Sequence, residues 1–436
     1  MSTVRPTRST RLFANILALG VASLTLTAIL APQTVLAQPG QGGGRGRGPG
    51  MGGGPGGGMF GGMRDGASRI SERQFKTYAD LLKLTDDQRD AADALREGFN
   101  KELELQDRDM QKKREDAMAK FRDSQDPAVW DDLRTQMEKS RDNRKKAEAT
   151  FLDDVKALLT PDQLVAWPKV ERAHRRQSTI SNGRLSGERV DLVTAVDDLK
   201  LSDADRAKIA PLLEEYQDEL DRELIRRNKK QEELQGRMRE VFQNRDPEAG
   251  QKMLEEGRAA SVKVRDLNRK YARQMEEALS EPKKAEFASW FKRQSFPRVY
   301  REPHAAKEIK AALDFKDLDP AQRESLAALR DSFSRDLDNA NDKLAAATER
   351  QEMEFNVQRM MNRFAGGGDD QDDSTADLRR QRRELERAAS DSLRKILKPE
   401  QADRLPKPDP DADDIDRRPG NRGINNRARN IPRDRT

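Results

Sequence analysis

Along most of the chain, apolar residues recur at gaps of three and four, the signature of one buried face on successive α-helices. One stripe runs through Ala92, Leu95, Phe99, Leu103, Met110, Met118 and Phe121. A second runs through Ile209, Leu212, Tyr216, Leu220, Leu224, Leu234, Met238 and Val241. These stripes stop at Asp126-Pro127 and at Asp246-Pro247. A residue before Pro is biased out of the helical region, and Pro suits the first turn of the next helix. Returning stripes follow: Trp130, Leu133, Met137, Ala147, Phe151, Val155 and Leu158, then Leu254, Ala260, Val264, Leu267, Tyr271, Met275 and Ala278. A third returning stripe, Leu378, Leu385, Ala389, Leu393 and Ile396, follows a longer break made of Gly366, Gly367, Gly368 and acids up to Ser374. No alternating β-branched run argues for strands. The pattern predicts an all-α chain of long antiparallel helical hairpins, with arms of about 37 residues reaching ~55 Å.

The hairpins repeat. A Leu followed by a helix-capping residue stands at Leu84-Thr85, Leu201-Ser202 and Leu318-Asp319, a stride of 117 residues. A second box closes each unit at Leu159-Thr160, Leu279-Ser280 and Leu397-Lys398. A fixed period means tandem copies of one structural unit. Thr85 with Gln88, Thr160 with Gln163, and Asp319 with Gln322 have capping-box spacing, in which each side chain satisfies the other residue's amide. The boxes at Ser280 and at Lys398 with Gln401 are eroded, one lacking the Gln and the other the capping hydroxyl. Leu159 and Leu164 have hydrophobic-staple spacing. Trp167, Phe287 and Leu405, seven residues past each second cap, are expected to pack a closing helix onto the hairpin. The predicted units are residues 69–175, 186–295 and 302–405.

The two ends differ from this middle. Arg5, Arg8 and Arg11 precede a mostly apolar run from Leu12 to Ala31, and Val35-Leu36-Ala37 offers a cleavage site. An export signal over residues 1–37 is expected, with an uncleaved inner-membrane anchor as the alternative. Residues 38–68 are Gly-rich and read as a flexible tether. Residues 406–436 read as a disordered tail, acidic at first and then basic. Across the chain 83 bases face 78 acids, and the first 37 residues hold three arginines and no acid, leaving 80 against 78. The near balance gives no electrostatic reason to expect a nucleic-acid partner. Charged residues make up 37% and hydrophobic residues 34%, enough for narrow stripes on long helices but not for a thick core. With no Cys, disulfides, thiolate metal sites and a lipid-modified Cys are excluded.

Leu82-Lys83-Leu84-Thr85-Asp86-Asp87-Gln88, a long charged hairpin, then Leu158-Leu159-Thr160-Pro161-Asp162-Gln163 and an aromatic at Trp167 together resemble the Spy/CpxP family, defined by paired LTxxQ motifs. The match spans Tyr78 to about Arg172, and the later units keep the plan with weaker motifs. The resemblance implies a periplasmic helical protein that binds unfolded or misfolded clients without ATP, or damps an envelope-stress sensor, as a cradle-shaped dimer. The chain departs from the family in fusing three units. Some relatives bind metals, but this chain has only His174 and His304, in charged stretches between units, where surface positions are expected.

No nucleophile elbow, P-loop or Cys nucleophile is present, so no enzyme, cofactor or metal site is read from the sequence. The leading expectation is client binding through Met and Arg near the free ends of the first arms, since Met adapts to varied apolar shapes. The candidates are Met110, Arg114, Met118 and Phe121, then Arg237, Met238 and Phe242, then Met360, Met361 and Phe364. For each, ordinary hairpin core is the competing reading. The expected partners are unfolded or misfolded proteins, with a sensor protein or an envelope polyanion at the basic tail as alternatives. A homo-oligomer stays open, as does a structural scaffold of the envelope.

Overall fold

The computed structural model describes residues 68–126, 128–244, 246–357 and 374–407, without the side chains of residues 238–240, 242–243 and 374. The expected export signal, most of the Gly-rich segment, the Gly-rich break of the third unit and most of the charged tail lie outside them. The described residues form thirteen α-helices and two 3-10 turns, with no strand. None of these helices is long and apolar enough to cross a membrane.

The helices follow from local chemistry. Helix α1 (Glu72–Leu82) opens at Ser71 with a capping box to Gln74 and stops at Lys83, whose φ of 51° is left-handed. α2 (Asp86–Ser124) opens at Thr85 and stops at Gln125, φ 53°. α3 (Ala128–Ala157), α4 (Pro161–Leu164) and α5 (Trp167–Thr179) follow. After α6 (Ala195–Asp198), Lys200 is again left-handed at φ 48°, and α7 (Asp203–Asn244) begins. Asp246 caps α8 (Pro247–Ala278) by accepting from the amides of Glu248 and Ala249, both at 3.0 Å. α9 (Glu281–Ser295), α10 (His304–Leu313), α11 (Pro320–Glu354), α12 (Ser374–Ile396) and α13 (Pro399–Ala402) complete the series.

α2 packs along α3, α7 along α8, and α11 along α12. In the first pair, Phe99 stacks on Phe151 at 5.1 Å and Phe121 meets Trp130 at 5.3 Å. Contacting residues thus converge in sequence on the break, so the two helices run antiparallel. Tyr216 and Tyr271 make the corresponding contact in α7 and α8, 5.5 Å apart.

The apolar core collects where the short helices join the long ones. Phe75, Tyr78, Leu82, Phe99, Phe151 and Trp167 form one cluster. Ile209, Tyr216, Leu220, Tyr271, Met275 and Phe287 anchor a second, and Ile309, Leu326, Phe333, Leu393 and Leu405 a third. Farther along α2 the buried face continues at intervals of seven through Leu103, Met110 and Ala117, at 0%, 8% and 7% exposed, while Met118, one position off that face, is 49% exposed. Met118 thus stands open beside the seam, one turn before the half-buried ring of Phe121.

Neighbouring pairs are joined by charge. Lys145 meets Glu232 at 2.9 Å, Arg175 meets Asp221 at 2.6 Å, and Lys169 meets Glu214 at 3.3 Å. Farther along, Arg269 and Arg265 reach Glu349 at 2.7 and 3.4 Å, and Lys292 reaches Asp342 at 2.9 Å. The stretch from Arg176 to Leu185, outside both neighbouring expected units, is built into the fold, with Arg176, Ile180 and Leu185 all buried. Beside it lies a fully buried ion pair, Arg227 to Glu188 at 2.9 Å. Glu188 also accepts from the amides of Arg184 and Leu185, at 2.6 and 3.0 Å.

Candidate functional site

The boxes lie at the core end of each helix pair. Thr85 Oγ1 accepts from the Gln88 amide at 3.3 Å, and Gln88 Oε1 accepts from the Thr85 amide at 3.1 Å. Thr160 with Gln163 and Asp319 with Gln322 are arranged alike. The two boxes of a pair also touch. Gln88 Nε2 donates to Gln163 Oε1 at 2.9 Å and to the Leu158 carbonyl at 2.8 Å. In return Gln163 Nε2 donates to Gln88 Oε1 at 2.8 Å and to the Lys83 carbonyl at 3.3 Å. Gln322 and Gln401 repeat this amide pair at 2.9 Å, reaching the carbonyls of Ile396 and Asp317. Leu84, Leu201, Leu279, Leu318 and Leu397 are buried beside these contacts, and Leu159 is half-buried.

The middle pair closes with different groups. Ser202 Oγ donates to Asp205 Oδ2 at 3.0 Å, and Ser280 donates to the same carboxylate through its amide at 3.2 Å and its hydroxyl at 3.1 Å. Lys283 Nζ donates to the Leu199 carbonyl at 3.0 Å, as Gln163 does to that of Lys83. Desolvation acts to raise the Asp205 pKa, but the donors from Ser202 and Ser280, with Lys208, hold the carboxyl below its ordinary value. A depressed carboxyl pKa contributes stability that is complete above the unfolded value of about 3.9 and is lost as pH falls through the folded value. The stability difference between wild type and D205N, from urea unfolding, should therefore shrink between pH 5 and pH 3. An equal difference at both pH values would show that the carboxylate charge does not hold this end closed.

The candidate contact residues separate. Met110 is 8% exposed, which corrects its expected place on an open surface: it is buried, as the competing reading of ordinary hairpin core has it. Met118 is 49% exposed, Arg114 is exposed, and Phe121 is half-buried against Trp130. Met137, expected within the returning stripe, is 44% exposed. It lies one position past half-buried Gln136, whereas Trp130 and Leu133, nearer the break, are half-buried. Arg237 is exposed and lies 3.5 Å from Glu256. The side chains of Met238 and Phe242, and residues Met360, Met361 and Phe364, lie outside the described residues. Leu164, expected to staple to Leu159, is instead 37% exposed, and its neighbour Val165 is 82% exposed.

His174 is not a surface residue. It is 8% exposed, its Nδ1 is 3.0 Å from Tyr78 Oη, and its Nε2 is 2.8 Å from Glu148 Oε1. The imidazole thereby links α1, α5 and α3, and burial pushes the Tyr78 phenol up from its ordinary value. His304 is half-buried, 3.4 Å from Glu308. Among the described residues no three His, Asp or Glu side chains are grouped to hold a metal. An open groove of about 360 Å³ between α2 and α3 is lined by Phe99, Glu102, Gln106, Asn143, Thr150 and Phe151, among others.

Set against known protein families, curated proteins and solved structures, the chain matches none of them. The functional reading therefore rests on the chain's own residues.

Proposed function

We propose that the chain is an exported holder of unfolded or stress-exposed proteins that works without ATP, built from three tandem helical hairpins of one plan. The observation that carries this reading is the exposure of two thioethers, one on each arm of the first pair. Met118 and Met137 are 49% and 44% exposed, on arms whose half-buried Phe121 and Trp130 rings meet. Thioethers fit many apolar shapes, as a holder with varied clients requires. Exposed Arg114 and Arg122 add positive charge for acidic stretches of a client. The paired LTxxQ-like boxes and the export signal read from the sequence agree with a Spy/CpxP-like role in the periplasm.

The test is light scattering from a chemically unfolded client, with the full chain and no ATP. Wild type should suppress aggregation at near-stoichiometric levels. M118S/M137S should be about tenfold less potent, equivalent to ~1.4 kcal/mol of binding, with its helicity intact by circular dichroism. Equal potency in the variant would remove these thioethers as the binding surface. A structural role in the cell envelope is the second reading, favoured by the charged contacts that join the helix pairs side by side.

A further inference from the structure

The contacts between neighbouring helix pairs have a direction. At both junctions the upstream side contributes bases and the downstream first arm contributes acids. Lys145, Lys169 and Arg175 face Glu232, Glu214 and Asp221. Arg265, Arg269 and Lys292 face Glu349 and Asp342.

The positions also repeat. Glu214, Asp221 and Glu232 lie 13, 20 and 31 residues after Leu201, and Asp331, Asp338 and Glu349 lie at the same distances after Leu318, although of these three Glu349 makes the upstream ion pairs and Asp331 pairs with Arg330 of its own helix. Intervals of seven and eleven residues return to one helix face. Lys145 stands 14 residues before Leu159, and Arg265 stands 14 before Leu279. The pairs Lys145–Glu232 and Arg265–Glu349 are therefore the same contact made twice.

Both halves of that contact occur once more, unjoined. Glu97, Glu104 and Glu115 lie 13, 20 and 31 residues after Leu84, on the first of the described long arms. Among the described residues they meet their own helix: Arg96 at 3.9 Å, Arg108, and Gln111 at 3.0 Å. At the other end Arg383 stands 14 residues before Leu397, and Arg387 stands 10 before it, as Arg269 does before Leu279. Arg383 and Arg387 are exposed and have no ion-pair partner among the described residues. Net charge has the same sign: acids outnumber bases twelve to nine in α2, and bases outnumber acids seven to four in α12.

We propose that a second copy of this chain docks head to tail, its α2 against α12 of the first, with Arg383 and Arg387 of one copy facing Glu115 of the other. The proposal rests on the reading of three equivalent units. The two surfaces differ, so the contact is heterologous and each added copy presents a fresh arm to the next.

Sedimentation velocity of the full chain tests it. Wild type should associate beyond two copies as concentration rises at low salt, and should dissociate near 1 M salt, where screening acts within ~3 Å. R383E/R387E and E115K should each associate at least about tenfold more weakly. Their equimolar mixture should assemble again, because each supplies the partner the other lacks. A wild type that stays a single copy, variants that associate like wild type, or a mixture that stays single would each overturn the proposal. R265E separates this from the reading beneath it: it breaks the internal counterpart and should lower the stability of the single chain. Unchanged stability there would sink the three-unit reading, whereas a destabilised R265E beside a monomeric wild type sinks this proposal alone.

Discussion

Replacing Arg227 by Ala should destabilise the chain by roughly 3–5 kcal/mol, the usual cost of stranding one member of a buried ion pair. Both side chains are 0% exposed, and the guanidinium lies 2.9 Å from the Glu188 carboxylate. It also donates to the Thr179 carbonyl at 2.5 Å. Burial pulls the Arg227 pKa down from its ordinary value, and the Glu188 charge and hydrogen bond work in the other direction. In R227A the carboxylate would keep its two amide donors and lose its counter-charge in a place water does not reach. The double change R227M/E188L removes both charges and should recover most of the loss, because a desolvated pair can be replaced by apolar groups at little cost. Urea unfolding of the three proteins checks this. An R227A cost below about 1 kcal/mol would mean that the site admits water and the pair is of the weak, solvated kind.

Phe287→Ala should cost a similar amount, roughly 3–5 kcal/mol, through lost apolar transfer and the cavity left behind. Phe287 is 0% exposed and its ring lies 5.6 Å from that of Trp290, within the core shared by α7, α8 and α9. It is eight residues past Leu279, as Trp167 is past Leu159 and Leu405 past Leu397, and all three are buried. Trp167→Ala should therefore cost about as much, and Leu405→Ala about 2–5 kcal/mol. Stability is again read from unfolding, with circular dichroism for the whole chain. A cost under about 1 kcal/mol at Phe287 would show that α9 does not close over the core.

Periodicity was enough to read the long helices, the breaks at Asp126 and Asp246, and most core residues, since a stripe with gaps of three and four has one structural meaning. The capping partners of Thr85, Thr160 and Asp319 were legible for the same local reason. What escaped the sequence depends on proximity between distant residues. Gln88 and Gln163 each have a sufficient local role as a cap partner, so nothing in the chain announces that their amides also pair. Arg227 stands in Leu224-Ile225-Arg226-Arg227-Asn228-Lys229-Lys230, which looks like a solvated charge run, yet it is 1% exposed. His174 is hidden in the same way, among Glu171, Arg172, Arg175 and Arg176. A helix packed by neighbours on two sides buries more than its apolar stripe, and the stripe reports only one of them. The candidate site suffered from the opposite effect. Met110 and Met118 were read as one stripe, but the inward face runs from Met110 to Ala117, seven residues on, which leaves Met118 rotated out.

In each helix pair the chain arrives and leaves at the same end, the one held by the paired boxes, and the opposite end is a cul-de-sac. That far end is still tied to its neighbour in the second and third pairs: Arg258 of α8 donates to the Met353 carbonyl at 2.6 Å, and Gln251 Oε1 accepts from the Val357 amide at 3.0 Å. Lengthening one of these two pairs without the other would break those contacts, so their reach is coupled. The first arms nonetheless differ, with 39 residues in α2, 42 in α7 and 35 in α11.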